Sequence, residues 1–153
     1  MRIFTAALAL ALTTGAAHAQ DMYVGVAFDY GKPHAGDDQT AASLMAGVAF
    51  DAGTIGYGAE IEYGASSTFG GDYDIARIRA VGSYDLGSMS ALASVGATQY
   101  DTGAAKFSGY NFGLGVQVPV NDALDVRAEL IRDMMDDFGN NVTTTRLAAV
   151  YSF

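Results

Sequence analysis

The stretch IGYGAEIEYGA, residues 55–65, decides how the chain is read. Ile55, Tyr57, Ala59, Ile61 and Tyr63 share one parity, and Gly56, Gly58, Glu60, Glu62 and Gly64 share the other. Successive side chains on a strand point to opposite faces, so the segment predicts a strand with one apolar face and one small or charged face. Two structures present such a strand. One is a soluble sheet with a wet face. The other is a barrel with lipid outside and a polar lumen inside.

The same period recurs along the chain. Val24, Val26, Phe28 and Tyr30 oppose Gly25, Ala27 and Asp29, and Leu44, Ala46, Val48 and Phe50 oppose Ser43, Met45 and Gly47. Ile78 and Ala80 oppose Arg77 and Arg79; Val95 and Ala97 oppose Ser94 and Gly96. Phe112, Leu114 and Val116 oppose Asn111, Gly113 and Gly115. Val126 and Ala128 oppose Asp125, Arg127 and Glu129, and Leu147, Ala149 and Tyr151 oppose Arg146, Ala148 and Ser152. This predicts eight strands of about ten residues, the length a tilted strand needs to cross a bilayer. Tight turns rich in Asp, Gly, Asn and Pro begin at 51 (DAGT), 85 (DLGS) and 119 (PVND), 34 residues apart each time. Longer links are expected at 31–39, 65–72, 100–107 and 133–141.

Composition chooses between the two structures. Glu60, Glu62, Arg77, Arg79, Asp125, Arg127, Glu129 and Arg146 fall on the small-residue parity, four acids with four bases among Gly, Ala and Ser. A solvated face would carry lysines; a narrow lumen wants small residues and mutually neutralising charges. The opposite parity is almost free of charge through all eight mid-strands. Soluble barrels reverse this sense, with large apolar residues inside. Aromatic residues near strand ends, among them Phe28, Tyr30, Phe50, Tyr57, Tyr63, Tyr84, Tyr110, Tyr151 and Phe153, suit two interfacial belts. Tyr73 and Tyr100 fall on the lumen parity and stand outside that scheme.

The remaining features bound location and chemistry. Residues 1–19, MRIFTAALALALTTGAAHA, read as a signal peptide: Arg2, an apolar run too short to span, and an Ala17-His18-Ala19 cleavage site. Residues 20–153 form the barrel domain. The mature chain keeps seven bases against 17 acids, a net charge of −10, which disfavours nucleic acid as a partner. It has no cysteine. No catalytic residue, metal site or cofactor is assigned. His34 is the sole mature histidine, and a lone histidine without a positioned partner is weak evidence for catalysis. Asp37, Asp38, Asp72, Asp101, Asp133, Asp136 and Asp137 read as acidic loop residues, and DMMDDFGNN (133–141) does not match the EF-hand spacing. Lys32, Lys106 and Arg132 read as rim cations able to meet lipopolysaccharide phosphates.

The C-terminal RLAAVYSF, with Leu147, Ala149, Tyr151 and Phe153 at alternate positions, resembles the assembly signal of bacterial outer-membrane β-barrels. The whole pattern resembles the eight-stranded class that includes the OmpA transmembrane domain, OmpX and the opacity-type proteins. That resemblance implies an all-β, eight-stranded antiparallel meander with short periplasmic turns and longer outer loops. It implies a Gram-negative outer-membrane location, contact with outer-membrane lipid and lipopolysaccharide, and recognition by the barrel-assembly machinery. The Glu/Arg set resembles the charge network inside the OmpA barrel. Since the sequence stops at Phe153, the peptidoglycan-binding domain that follows many such barrels is expected to be absent. The expected role is structural or surface-interacting and non-enzymatic, with possible surface ligands met by four outer loops. Two alternatives stay open: a lipid A-modifying enzyme using His34 with Asp72 and Ser67, and a narrow small-ion channel.

Deleting Phe153 is expected to lower the fraction of protein assembled into the outer membrane, measured by cell fractionation. Undiminished insertion would contradict the terminal signal.

Overall fold

Period-two sequence with turn signals at each end gives strands and nothing else. The computed structural model describes residues 20–34, 37–68, 72–135 and 141–153; the expected signal peptide, 1–19, lies outside the described residues. The strands are β1 (Gln20–Pro33), β2 (Gln39–Ala52), β3 (Ile55–Thr68), β4 (Tyr73–Asp85), β5 (Ser90–Asp101), β6 (Lys106–Pro119), β7 (Leu124–Met135) and β8 (Val142–Ser152). They pair in sequence order, all antiparallel, and β8 returns to β1 to close the barrel. Closure matters because an open edge leaves unpaired N–H and C=O groups. The seam is continuous, from Tyr23 opposite Ser152 to Pro33 opposite Val142.

Residues 53–54, 86–89 and 120–123 join strands at one end, where Gln20 and Phe153 also lie; we name it the turn end. Two of these turns share a device. Asp51 Oδ1 accepts from Gly53 N and Asp85 Oδ1 accepts from Gly87 N, both at 2.7 Å. The glycines sit at φ 84° and 92°, the left-handed region that a side chain disfavours. The other end, the loop end, has an unexpected copy: Asp101 Oδ1 accepts from Gly103 N at 2.9 Å, and Gly103 has φ 75°. The link expected at 100–107 is therefore reduced to 102–105, with Asp101 opposite Lys106 and Tyr100 opposite Phe107. Pairing also extends into the other expected links and leaves 34–38, 69–72 and 136–141 between strands.

The faces separate by parity. Phe28, Leu44, Leu114 and Leu147 point outward, Leu114 being 67% exposed. Arg77, Arg79 and Arg146 point inward and are each 1% exposed. Burial is thus reversed from that of a water-soluble barrel. Outward aromatics gather near both ends: Tyr57, Tyr84, Tyr151 and Phe153 at the turn end, and Phe28, Tyr30, Tyr63 and Tyr110 toward the loop end. Phe50 stacks on Tyr57 with ring centroids 5.4 Å apart.

Inside, two apolar layers flank the charged one. At the loop end Tyr73, Tyr100, Ile75, Ala41 and Met135 pack together, with Phe107 against them. Tyr73 and Tyr100, which the belt scheme left unplaced, are lumen residues with rings 5.8 Å apart. Toward the turn end Tyr23, Ala27, Met45, Ala148 and Val150 form the second layer. The Tyr23 ring lies over Gly47, where a Cβ would come within 2.4 Å of the Tyr23 Cζ.

Gly47→Val is therefore expected to displace Tyr23 and cost about 1–3 kcal/mol, the usual range for overpacking. The check is the temperature at which the SDS-resistant band unfolds; an unchanged temperature would refute the tight seat.

Candidate functional site: the charged lumen and its rims

Glu60 and Glu62 stand opposite Arg79 and Arg77 in the β3–β4 register. Strand alternation turns all four side chains inward, into an interior that eight strands make narrow enough for side chains to fill. Each glutamate serves two arginines. Glu60 accepts from Arg79 Nε at 3.1 Å and from Arg127 Nη1 at 2.7 Å. Glu62 accepts from Arg77 Nη1 and from Arg146 Nη1, both at 2.6 Å. The charges at alternate positions of the opening segment are two hubs of one network.

The arginines fork across the lumen. Arg77 on β4 holds Asp133 on β7 through Nε at 3.2 Å and Nη2 at 2.7 Å. Arg79 holds both oxygens of Glu129 at 3.0 and 3.1 Å. Arg146 grips Asp29 at 2.7 and 2.6 Å. Such bidentate pairs suit a planar guanidinium and give both strength and a fixed geometry. Arg127 also donates to Gln117 Oε1 at 2.9 Å and lies over the Tyr23 ring, 5.4 Å from its centroid.

The described residues bury five carboxylates (Asp29, Glu60, Glu62, Glu129, Asp133) against four arginines (Arg77, Arg79, Arg127, Arg146). Neutral donors meet the surplus negative charge. Tyr23 donates to Glu60 at 2.9 Å and Ser43 to Asp29 at 3.0 Å. Thr98 and Tyr100 donate to Asp133 at 2.8 and 2.9 Å. Buried charge needs both partners and satisfied lone pairs to be tolerable, and this network supplies both.

Of the eight lumen positions predicted, seven come together. Asp125 forms no ion pair: it stands nearer the turn end, half-buried, and joins only through Gln117, whose Nε2 donates to it at 2.7 Å while its Oε1 accepts from Arg127. Parity fixed its face but not its depth. Two members were missed. Asp29 was read only as a residue opposing the apolar parity, and Asp133 as a loop acid; both are lumen residues on β1 and β7, 2% and 0% exposed. Asp133 shares parity with Arg127 and Glu129, a signal the loop assignment overrode. With Asp133 committed to Arg77, a cation site in 133–141 loses its first ligand; residues 136–140 lie outside the described residues.

Below the network a cavity of about 200 Å³ opens at the turn end, lined in part by Asp21, Ser83, Ser90, Gln117, Asp125 and Arg127. At the loop end His34 is exposed, and its backbone N donates to Asn141 O at 3.1 Å, beside the β1–β8 seam. Asp72 belongs to the β3–β4 link, and the Ser67 side chain lies outside the described residues. Among the described residues no group of three metal-ligating side chains converges.

No protein-family model matches the chain, and no curated protein sequence does. Solved structures do resemble it. Ail, the attachment invasion locus protein of Yersinia pestis, superposes with a TM-score of 0.61 at 16% identity, over 88% of this chain and 97% of Ail. The N-terminal β-barrel domain of Pseudomonas aeruginosa OprF gives 0.62 at 10% identity, over 86% and 97%. Neisserial surface protein A gives 0.57 at 13%, over 88% and 97%. The fold is that of the small eight-stranded outer-membrane barrels. At these identities the likeness speaks for fold alone.

Replacing Glu60 with Leu leaves Arg127 without a carboxylate and Arg79 with one. The expected loss is about 3–5 kcal/mol, as for breaking a buried pair from one side. Asp125→Asn, whose side chain is hydrogen-bonded to the neutral Gln117 and holds no guanidinium, is expected to change stability little. Thermal unfolding in detergent, read by mobility in unboiled gels, compares them; equal midpoints would refute the hub.

Proposed function

We propose that this chain is an integral outer-membrane protein with its turn end and both termini in the periplasm, and that its role is structural or surface-interacting rather than catalytic. The observation that carries this reading is the reversal of burial: an apolar outward wall around a lumen of crossed ion pairs. In water the wall would expose far more contiguous apolar surface than a soluble monomer tolerates. In a bilayer it is the expected face, and an arginine or lysine placed on it would cost about 2–4 kcal/mol at mid-depth.

The role is passive. A network in which most guanidiniums hold two carboxylates stiffens the wall and fills the lumen, and the apolar layer of Tyr73, Tyr100 and Ile75 covers it toward the outside. The proposed partners are outer-membrane lipid, lipopolysaccharide, the barrel-assembly machinery and a surface ligand met at the loop end. The names of Ail and Neisserial surface protein A, an attachment protein and a surface protein, support a surface role by analogy of fold. A narrow ion path is the second reading, favoured by the turn-end cavity, which reaches inward to Tyr23 and Arg127.

The membrane fraction is expected to give a fast band in cold SDS and a slower one after boiling. In planar bilayers the protein is expected to give no porin-sized conductance steps. A periplasmic protein without the gel shift would overturn the membrane reading, and regular conductance steps would favour the ion path.

A further inference from the structure

Each carboxylate of the deep network meets at least one guanidinium. The turn-end cavity of about 200 Å³ departs from this pattern. Asp21 and Asp125 line it, and neither has an ion-pair partner among the described residues. The chain has no base placed to supply one. Lys32, Lys106 and Arg132 stand at the loop end, and Arg77, Arg79 and Arg146 are held inside the network. Arg127 borders the cavity, but its guanidinium is already engaged by Glu60 at 2.7 Å and by Gln117 at 2.9 Å.

The cavity is layered. Asp21, Ser83, Ser90, Asp125 and Ser152 stand at or near strand ends and give it a polar mouth. Deeper along the same strands, Val81, Leu92 and Val150 are buried and, with Ala49, form an aliphatic waist. Tyr23 and Arg127 make the floor, the Tyr23 ring seated on Gly47 and its hydroxyl given to Glu60. Glu62, Arg77 and Arg146, beyond that floor, do not line the cavity. It is therefore a cup, closed toward the network and open at the turn end.

The lining selects a class of ligand. Two unpaired carboxylates at the mouth repel an anion. A metal ion is a poor match, because no group of three metal-ligating side chains converges among the described residues and an aliphatic waist offers a hydrated ion nothing. A ligand with a cationic head and a short apolar stem uses both layers. The volume is below the roughly 300–1,000 Å³ that drug-sized ligands fill, so the ligand is small.

We propose that this cup binds a small alkylammonium ion, with its ammonium at Asp21 and Asp125 and its alkyl stem against Val81, Leu92 and Val150. A primary ammonium has three N–H donors, enough for both carboxylates and one hydroxyl of the mouth. Each carboxylate then gains the charged partner that every acid of the network already has. The stem removes apolar surface of the waist from water. The site goes beyond the structural role proposed above; its opening to the periplasm alone rests on that reading.

The test titrates butylammonium chloride into the full mature protein in nanodiscs of zwitterionic phospholipid and follows heat. One saturable site per barrel is expected. Asp21→Asn and Asp125→Asn are each expected to weaken binding about fivefold, and together about twenty-five-fold. Asp51→Asn with Asp122→Asn, at exposed turn-end acids that do not line the cup, is expected to bind as the wild type does. Each methylene removed between butylammonium and methylammonium is expected to cost about fourfold in affinity. Equal binding by the Asp21/Asp125 double variant would overturn the site, and equal weakening in the Asp51/Asp122 variant would reduce it to a diffuse acidic rim. Butanol bound as tightly as butylammonium would overturn the role of charge, and methylammonium bound as tightly would overturn the stem. The heat-dependent gel shift of the same samples separates the two readings: a shift without binding sinks the site alone, and loss of the shift in wild type sinks the membrane reading.

Discussion

The rest of the structure hangs on guanidinium–carboxylate pairs drawn across a lumen too narrow for bulk water. Arg77, Arg79 and Arg146 each hold one acid by both oxygens and touch a second. Lysine would not do this, because an ammonium is a point charge and cannot hold two walls at fixed angles. A cross-lumen bond such as Arg77 to Asp133 also ties β4 to β7, strands that share no ladder. The network is therefore a tertiary clamp on the barrel's cross-section, and backbone pairing supplies only its circumference.

The sequence carried the strands and their faces because both follow from period two. It could not carry depth. Residues of one parity share a face, but which of them meet depends on shear, and shear appears only when β8 closes on β1. Glu60 with Arg79 was legible because β3 and β4 follow one another in the chain and pair as neighbours. Glu60 with Arg127, 67 residues away, was not. The same blindness explains Asp125, which has the right face at the wrong height, and Asp133, which was assigned to a loop. Strand ends failed for a related reason. Pairing of Tyr100 with Phe107 and of Asp101 with Lys106 rewards extension beyond the point where polar residues suggest a loop.

Tyr73 and Tyr100 show how the layers cooperate. Each looks like a misplaced belt aromatic if every aromatic is assigned to lipid. Facing inward, they cover the charged layer toward the loop end, while the Tyr100 hydroxyl reaches down to Asp133. Tyr23 does the same from the other side with Glu60. An aromatic with a polar tip fits a boundary between apolar and charged layers, and here two such boundaries sit inside one barrel.

The network also bears on register. At mid-depth the outward side chains are apolar, so apolar packing against lipid distinguishes one strand alignment from another only weakly. A one-residue slip of β4 would exchange its faces and carry Arg77 and Arg79 outward. In the bilayer proposed above each would cost about 2–4 kcal/mol at mid-depth. Their abandoned partners Glu60, Glu62, Glu129 and Asp133 would then remain buried with fewer donors. The penalty therefore falls on both sides of the wall at once. Buried charge is weak evidence for raw stability. In this barrel its clearer effect is to make the observed alignment far better than its neighbours, which a uniformly small, apolar lumen would not do.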